Sequence, residues 1–455
     1  MTTSQPSPHK PAHIDESRRG FLAGAAALAG AALIGSRAGA AAQPGSVTPA
    51  AFTPPKAKAR KAVKDGEPIR MGVIGLGGPG GCAMGLNHVI SFANFNKDGQ
   101  EKVEIAAICD LNKIFLEHGK QELAKIQKTP FDTYTNYKDL LAREDLHAVL
   151  LALPEHWHAQ AGIDAIAAGK DVYSEKPMTL NLADALHLHQ AASSNPDLIF
   201  QVGTQMVNLP KYHEAAKLIK AGAIGTPTFS QTSYCRNSKE GEWHYTIDPA
   251  WKPGENLDWD TWCGPVGPMP WDPKVYYQWR RYRKVSTGIC GDLLVHVMTP
   301  MMMALDQGWP VKVAATGAHH SDKDMENFDN INIAAQFETG HQMVVAGSTC
   351  NEAGLETMIR GHKANIYLGS RHCVLRPERP FAEEIDEKTI ECPDIGNDQD
   401  KHRLRWLHCI RTREATWSGT ELGLKVMIVV DLATRSMWEG RAFAFDPKTM
   451  TSRAI

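Results

Sequence analysis

Between residues 67 and 203 the apolar positions fall into two kinds of segment that alternate along the chain. Short runs rich in branched residues, Ile69–Ile74, Val103–Cys109, 148–153, 170–174 and 198–202, have the length of strands buried on both faces. Between them, 112–126, 137–142 and 159–168 carry an apolar stripe at helical spacing. Strands alternating with helices predict a doubly wound, parallel sheet of the α/β class. Past Gly225 the pattern changes: 226–235, 311–319, Asn330–Phe337, Gln342–Ser348 and Ala364–Leu368 read as longer strands without alternating helices. A second, α+β domain with a largely antiparallel open sheet is expected there. The boundaries are 67–203 for the first domain and 204–455 for the second.

The first strand runs into Gly75, Gly77 and Gly80 in G-x-G-x-x-G spacing, with Gly78 in the same turn. Such a turn needs glycine where the backbone reverses at Gly75, where it approaches a pyrophosphate at Gly77, and where the next helix packs on the strand at Gly80. Amides at the start of that helix then face the phosphates, so the first domain reads as a dinucleotide-binding Rossmann domain. Asp110 ends the second strand, where a carboxylate accepts hydrogen bonds from the adenosine ribose and repels a 2′-phosphate, which favours NAD over NADP. It lies 30 residues beyond Gly80, and an extended turn at 94–100 accounts for the excess over the usual spacing.

Ligands of such sheets bind at the carboxyl ends of the strands. Leu153-Pro154 ends one strand, with His158 shortly after it, and faces the nicotinamide side. His156 and His158 are two apart and share no helix face, so they make no metal site. Another strand ends in Glu175-Lys176-Pro177, which points the Lys176 ammonium into the cleft, able to stabilise negative charge on a substrate oxygen. In the second domain Asp292 and His296 stand four apart in an apolar helix and emerge on one face. A neutral imidazole there can take a hydroxyl proton while the carboxylate orients it or holds a neighbouring hydroxyl; a buried Asp-His pair satisfying itself is the alternative.

A long polar and aromatic stretch, 236–283, interrupts the second domain. Arg236, Trp243, His244 and Tyr245 are its candidate substrate contacts, because flat aromatic faces beside polar groups suit sugar rings. Packing of the loop or a subunit interface is the other use for most of these aromatics.

Composition narrows the classes. The chain has 455 residues, 43% of them hydrophobic, enough for two cores. A net charge of −2, with no long basic block after residue 64, offers nothing to nucleic acid or to an anionic membrane. Nine scattered cysteines without a C-x-x-C pair indicate neither a disulfide framework nor a zinc site. Residues 1–42 read as a twin-arginine export signal: Arg18-Arg19, an uncharged Ala/Gly/Leu run to Ser36, then A-x-A sites. An uncleaved anchor is the alternative, and 43–66 reads as a disordered linker. Periplasmic or other extracytoplasmic location follows, and with little free nucleotide there the cofactor is expected to be tightly held.

Taken together, Gly75-x-Gly77-x-x-Gly80, Asp110, Leu153-Pro154 with His158, Glu175-Lys176-Pro177 and the G-x-x-x-D-x-x-x-H pattern from Gly288 to His296 resemble the Gfo/Idh/MocA oxidoreductase family. Trp279-Arg280-x-Tyr282 and Leu368-Gly369-Ser370-Arg371 look like its exported branch. Pro79 inside the glycine turn and Thr287 before Gly288 depart from the family pattern. The resemblance implies NAD(P) in the first domain, a carbohydrate or polyol substrate, Lys176, Asp292 and His296 around it, and a homo-oligomer formed through the open sheet. Some members instead use bound NAD to oxidise a sugar transiently and eliminate its glycosidic bond; the T-H-G-L-G-P segment associated with them is absent. A non-catalytic sugar-binding protein is the third reading.

Overall fold

The computed structural model describes residues 51–78 and 83–455. The segment expected to be an export signal, residues 43–50 and Gly80 lie outside the described residues. Six parallel strands, β1 (Ile69–Ile74), β2 (Val103–Cys109), β3 (Asp132–Tyr134), β4 (Ala148–Leu151), β5 (Asp171–Ser174) and β6 (Phe200–Val202), form a sheet ordered β3-β2-β1-β4-β5-β6. The chain reverses direction across the sheet between β1 and β4, which opens a crevice at their carboxyl ends. Helices α1 (Met84–Lys97), α2 (Lys113–Ile126), α3 (Tyr137–Leu141), α4 (Glu155–Ala167) and α5 (Leu182–Ser193) connect the strands. The α4 helix starts four residues before the expected 159, because Pro154 sits at its N-cap with φ −61° and the following residues are helical at once.

Ten strands make the second sheet, ordered β14-β13-β12-β11-β7-β10-β9-β8-β15-β16. Their ranges are β7 Pro227–Cys235, β8 Pro310–Ala318, β9 Asn330–Phe337, β10 Gln342–Ser348, β11 Met358–Gly361, β12 Ala364–Leu368, β13 His372–Pro377, β14 Lys388–Glu391, β15 Phe443–Asp446 and β16 Thr451–Ala454. Only the β7–β10 pairing is parallel. Strict alternation along β9, with Ile331, Ile333, Ala335 and Phe337 buried and Asn332, Ala334 and Gln336 exposed, leaves one face of the sheet open and packs the other on helices. The helix Thr420–Glu439 packs on both β8 and α5, joining the two domains. The helix Asp398–Thr412 returns to the first domain, where Trp406, Leu407 and Ile410 share a core with Ile69, Met71 and Phe92.

The linker expected to be disordered is ordered from residue 51 onward. Phe52 stacks on His187 at 4.5 Å, and the Asn195 side chain accepts from Ala57 N and donates to Pro55 O, each at 2.9 Å. A composition typical of disorder is overridden here by one aromatic anchor and an amide bracket. Among the described residues no helix is long and apolar enough to cross a membrane.

Candidate active site

The glycine turn has the predicted strained backbone. Gly75 and Gly77 take φ of +83° and +72°, and a Cβ at Gly75 would stand 2.5 Å from the Ala152 carbonyl oxygen. At Gly78 it would meet the Phe115 ring at 2.1 Å. Gly85 of α1 packs closely on the turn, since a Cβ there would fall 1.7 Å from Gly75 O.

Asp110 both faces the cleft and braces the turn. Its Oδ2 accepts from Leu76 N at 2.8 Å and Gly77 N at 3.3 Å, and Oδ1 accepts from Asn112 N at 2.8 Å. Burial raises its pKa against the pull of these amides. Two cavities of about 900 and 390 Å³ meet along Gly75, Asp110, Leu153, Pro154 and Trp262. The larger extends past Asn136 and Trp157, and the smaller reaches Lys176, Asp292 and His296.

The aromatic stretch mostly packs. Trp251, Trp259, Trp262, Tyr276 and Tyr277 form one cluster with Phe115 of the first domain. Tyr277 Oη donates to Gly78 O at 3.1 Å, Asn112 Nδ2 donates to Tyr276 Oη at 3.0 Å, and Trp157 Nε1 donates to Trp262 O at 2.8 Å. The stretch is thereby fastened across the glycine turn. Of its four candidate substrate contacts, Arg236, Trp243 and Tyr245 line the smaller cavity, whereas His244 is exposed and does not. Alternate residues of an extended loop point opposite ways, so a contiguous run could not all face the ligand. Trp243 holds φ of 57°, a conformation rare for a bulky residue and common at ligand sites.

At the centre, Lys176 Nζ donates to Asp292 Oδ1 at 2.7 Å and to Asp292 O at 2.9 Å, while Arg280 Nε donates to the same Oδ1 at 2.7 Å. Burial opposes ionisation of Asp292, but the two cations hold its carboxyl well below the usual range. Asp292 lies in a π-helical segment, Cys290–Leu294, that leads into the helix Val295–Leu305 carrying His296. Burial, reinforced by Lys176, pushes the His296 pKa down to about 3, so the ring is neutral. Its Nδ1 is buried without a partner. Asp292 therefore does not orient this imidazole as expected, because its Oδ1 is committed to two cations.

Glu175 lines the same cavity and belongs to a buried relay. Arg403 Nε donates to His88 Nδ1 at 2.8 Å, and a guanidinium can only donate, so Nε2 of His88 carries the proton and donates to Glu175 Oε1 at 2.8 Å. Burial would raise the Glu175 pKa, but the hydrogen bond from His88 and the charge of Lys176 hold it at about 2. His158 is displaced from its expected role. Its two ring nitrogens lie 2.6 Å from Pro177 O and 2.7 Å from Leu153 O, so it ties two cavity-lining turns together from behind without lining either cavity. Sequence reasoning missed His88 and Arg403, which are 315 positions apart. Arg280 was legible only as part of the Trp279-Arg280-x-Tyr282 pattern.

A dinucleotide fits these residues. Gly75 and Gly77 hold the positive φ that such a turn needs, Gly75 has no room for a Cβ, Asp110 ends the second strand beside the turn, and the cleft continues to Lys176 and His296. Gly75→Ala is expected to weaken NAD binding at least about tenfold in a fluorescence titration, since both the positive φ and the Ala152 contact exclude a side chain.

Among solved structures the chain is similar to a levoglucosan dehydrogenase in complex with NADH, with a TM-score of 0.63 and 16% identity over 83% of this chain and 98% of that one. It is similar also to an aldose-aldose oxidoreductase of Caulobacter crescentus complexed with glycerol, with a TM-score of 0.60 and 19% identity over 83% and 99%. At these identities the likeness is one of fold. Among curated proteins, an α-N-acetylgalactosaminidase of Shewanella oneidensis is 26% identical over 194 residues, 39% of each chain. A glycosyl hydrolase family 109 protein of Shewanella baltica is 32% identical over 120 residues, and the match spans about a quarter of that relative, 24% of its length. Residues 69–204 match the NAD-binding Rossmann domain of the Gfo/Idh/MocA oxidoreductases and 211–453 match the family's C-terminal α/β domain, so the chain belongs to that family.

Proposed function

We propose that this protein reversibly oxidises a secondary alcohol of a sugar or polyol. The observation that carries the reading is the Lys176–Asp292–Arg280 cluster beside a neutral His296, in a cavity continuous with the glycine turn. NAD, preferred over NADP because of Asp110, supplies the hydride acceptor when bound. His296 takes the hydroxyl proton on Nε2, its Nδ1 being buried. Lys176 Nζ donates a hydrogen bond to the oxygen that becomes negative, and Asp292 and Arg280 hold the lysine in place. Trp243, Tyr245 and Arg236 bound the space left for the sugar. The fastened aromatic stretch retains the dinucleotide. Mass spectrometry of the denatured purified protein tests this: the expected result is about one NAD or NADH per chain, and a protein that neither carries nor binds dinucleotide would contradict it.

The partial match to α-N-acetylgalactosaminidase and family 109 glycosidases favours a second reading. In it the same residues oxidise a glycoside transiently, the acidified neighbouring C–H permits elimination, and no net redox change results.

Export through the twin-arginine route is part of the proposal and is supported by Arg18-Arg19 and the run that follows. Replacing both arginines by lysine is expected to leave the protein in the cytoplasm on fractionation; efficient export of that variant would contradict the route. Association of copies through the open face of the second sheet completes the proposal, with light scattering as its check.

A further inference from the structure

Glu155 begins α4, directly after the Leu153-Pro154 turn that lines both cavities. It is 1% exposed, and nothing in the chemistry above uses it. Its carboxylate reaches across to the loop before the catalytic segment. Ser286 Oγ donates to Oε1 at 2.6 Å, and Thr287 N and Oγ1 both donate to Oε2 at 2.8 Å. Ser286 Oγ also accepts from Gly288 N at 3.0 Å, and Asp292 N donates to Gly288 O at 2.9 Å. Asn327 Nδ2 supports the same loop, donating to Ser286 O at 3.2 Å and to Arg280 O at 3.0 Å. An unbroken path of hydrogen bonds therefore joins the nicotinamide side of the cleft to Asp292, and through Asp292 to Lys176.

We propose that Glu155 is a positioning residue, whose ionised carboxylate clamps the Leu153-Pro154 turn to the Ser286-Thr287 turn and so sets the spacing between the nicotinamide pocket and the Lys176–Asp292 pair. The clamp rests on the oxidoreductase reading and adds a residue to it. Thr287 stands where the family pattern often has glycine, and its hydroxyl fits only because residue 291 is glycine: a Cβ there would lie 2.0 Å from Thr287 Oγ1. The two positions together supply Glu155 with a donor that glycine at 287 could not.

The ionised carboxylate accepts all three bonds; a proton on Oε1 would face the Ser286 hydroxyl, which would have to reverse from donor to acceptor, while Oε2 would keep its bonds from Thr287. Burial, opposed by the bonds from Ser286 and Thr287, pushes the Glu155 pKa from 4.5 up to about 7, with Asp292 adding to the rise. The other titratable group acting across this contact is the Cys290 thiol, which burial keeps protonated, its pKa pushed up to about 12. His156, next on α4, is turned to Trp262 O instead. A raised acid pKa means the fold prefers the protonated form, so stability is full below 4.5 and declines as pH rises through about 7. Positioning requires the opposite form. Stability and turnover should therefore move in opposite directions with pH.

The test compares wild type, Glu155→Gln and Thr287→Val in thermal melts, NAD titrations and, with a sugar that wild type oxidises, kcat across pH. In wild type, Tm falls and kcat rises between about pH 5 and 8. E155Q flattens both slopes and lowers kcat about 100-fold, as expected of a small misplacement, with the NAD Kd within about threefold. T287V removes one donor and moves both transitions upward by about one pH unit. The clamp is overturned by wild-type kcat in folded E155Q, or by transitions that T287V leaves in place. A wild-type protein without turnover removes the oxidoreductase reading, whereas a wild-type Tm that does not vary across this range removes the clamp by itself.

Discussion

Replacing Lys176 with methionine is expected to lower kcat by about 10³-fold while the NAD Kd changes by no more than about threefold. The side chain keeps its unbranched apolar stem, but the donor to the developing oxyanion is gone. A lysine that merely balanced Asp292 would show a different pattern, because Arg280 Nε still donates to Asp292 Oδ1 at 2.7 Å and would keep that carboxylate paired. Turnover within about tenfold of wild type in folded Lys176→Met would therefore show that the ammonium is structural. Steady-state rates with the best available sugar, alongside an NAD titration, separate the two outcomes.

Asp292→Ala carries the largest expected effect on stability, a loss of about 3–5 kcal/mol in denaturant unfolding. Asp292 is 4% exposed, and its removal leaves Lys176 and Arg280 buried near each other without their shared carboxylate. The same pair gives acid sensitivity with a definite sign. A carboxyl held below its ordinary 3.8 contributes stability that is fully present above that pH and is lost as pH falls below it. The variant should lose that part of the acid dependence. A variant as stable as wild type at neutral pH would mean that the cations find other partners.

Strand limits were readable in the chain wherever apolar runs meet glycine, proline or aspartate. β1 stops at Gly75 and β2 at Asp110, and both fall where the pattern predicts. The short strands β13 to β16 and the helix Asp398–Thr412 left weaker traces, because their burial depends on elements far away in sequence. Lys176, Asp292 and His296 were legible because each stands at a polar interruption of an apolar segment. Their connections were not. The π-helical segment has no sequence period of its own, so nothing distinguished Asp292 paired with His296 from Asp292 paired with two cations. Glu155 lies before the helix expected from 159, where no pattern singles it out, and only the fold brings it to Ser286 and Thr287. His244 shows the opposite error, a residue nominated by its neighbours that turns to solvent.

On the proposed function, this site oxidises a sugar alcohol with net reduction of its nicotinamide. The redox state of bound dinucleotide, followed by absorbance after one addition of free sugar or of glycoside to wild type and to His296→Ala, tests it most directly. The expected result is nicotinamide that becomes reduced and stays reduced with free sugar in wild type, and remains oxidised in the variant. Glycoside cleavage without lasting reduction, or equal reduction in the variant, would contradict it.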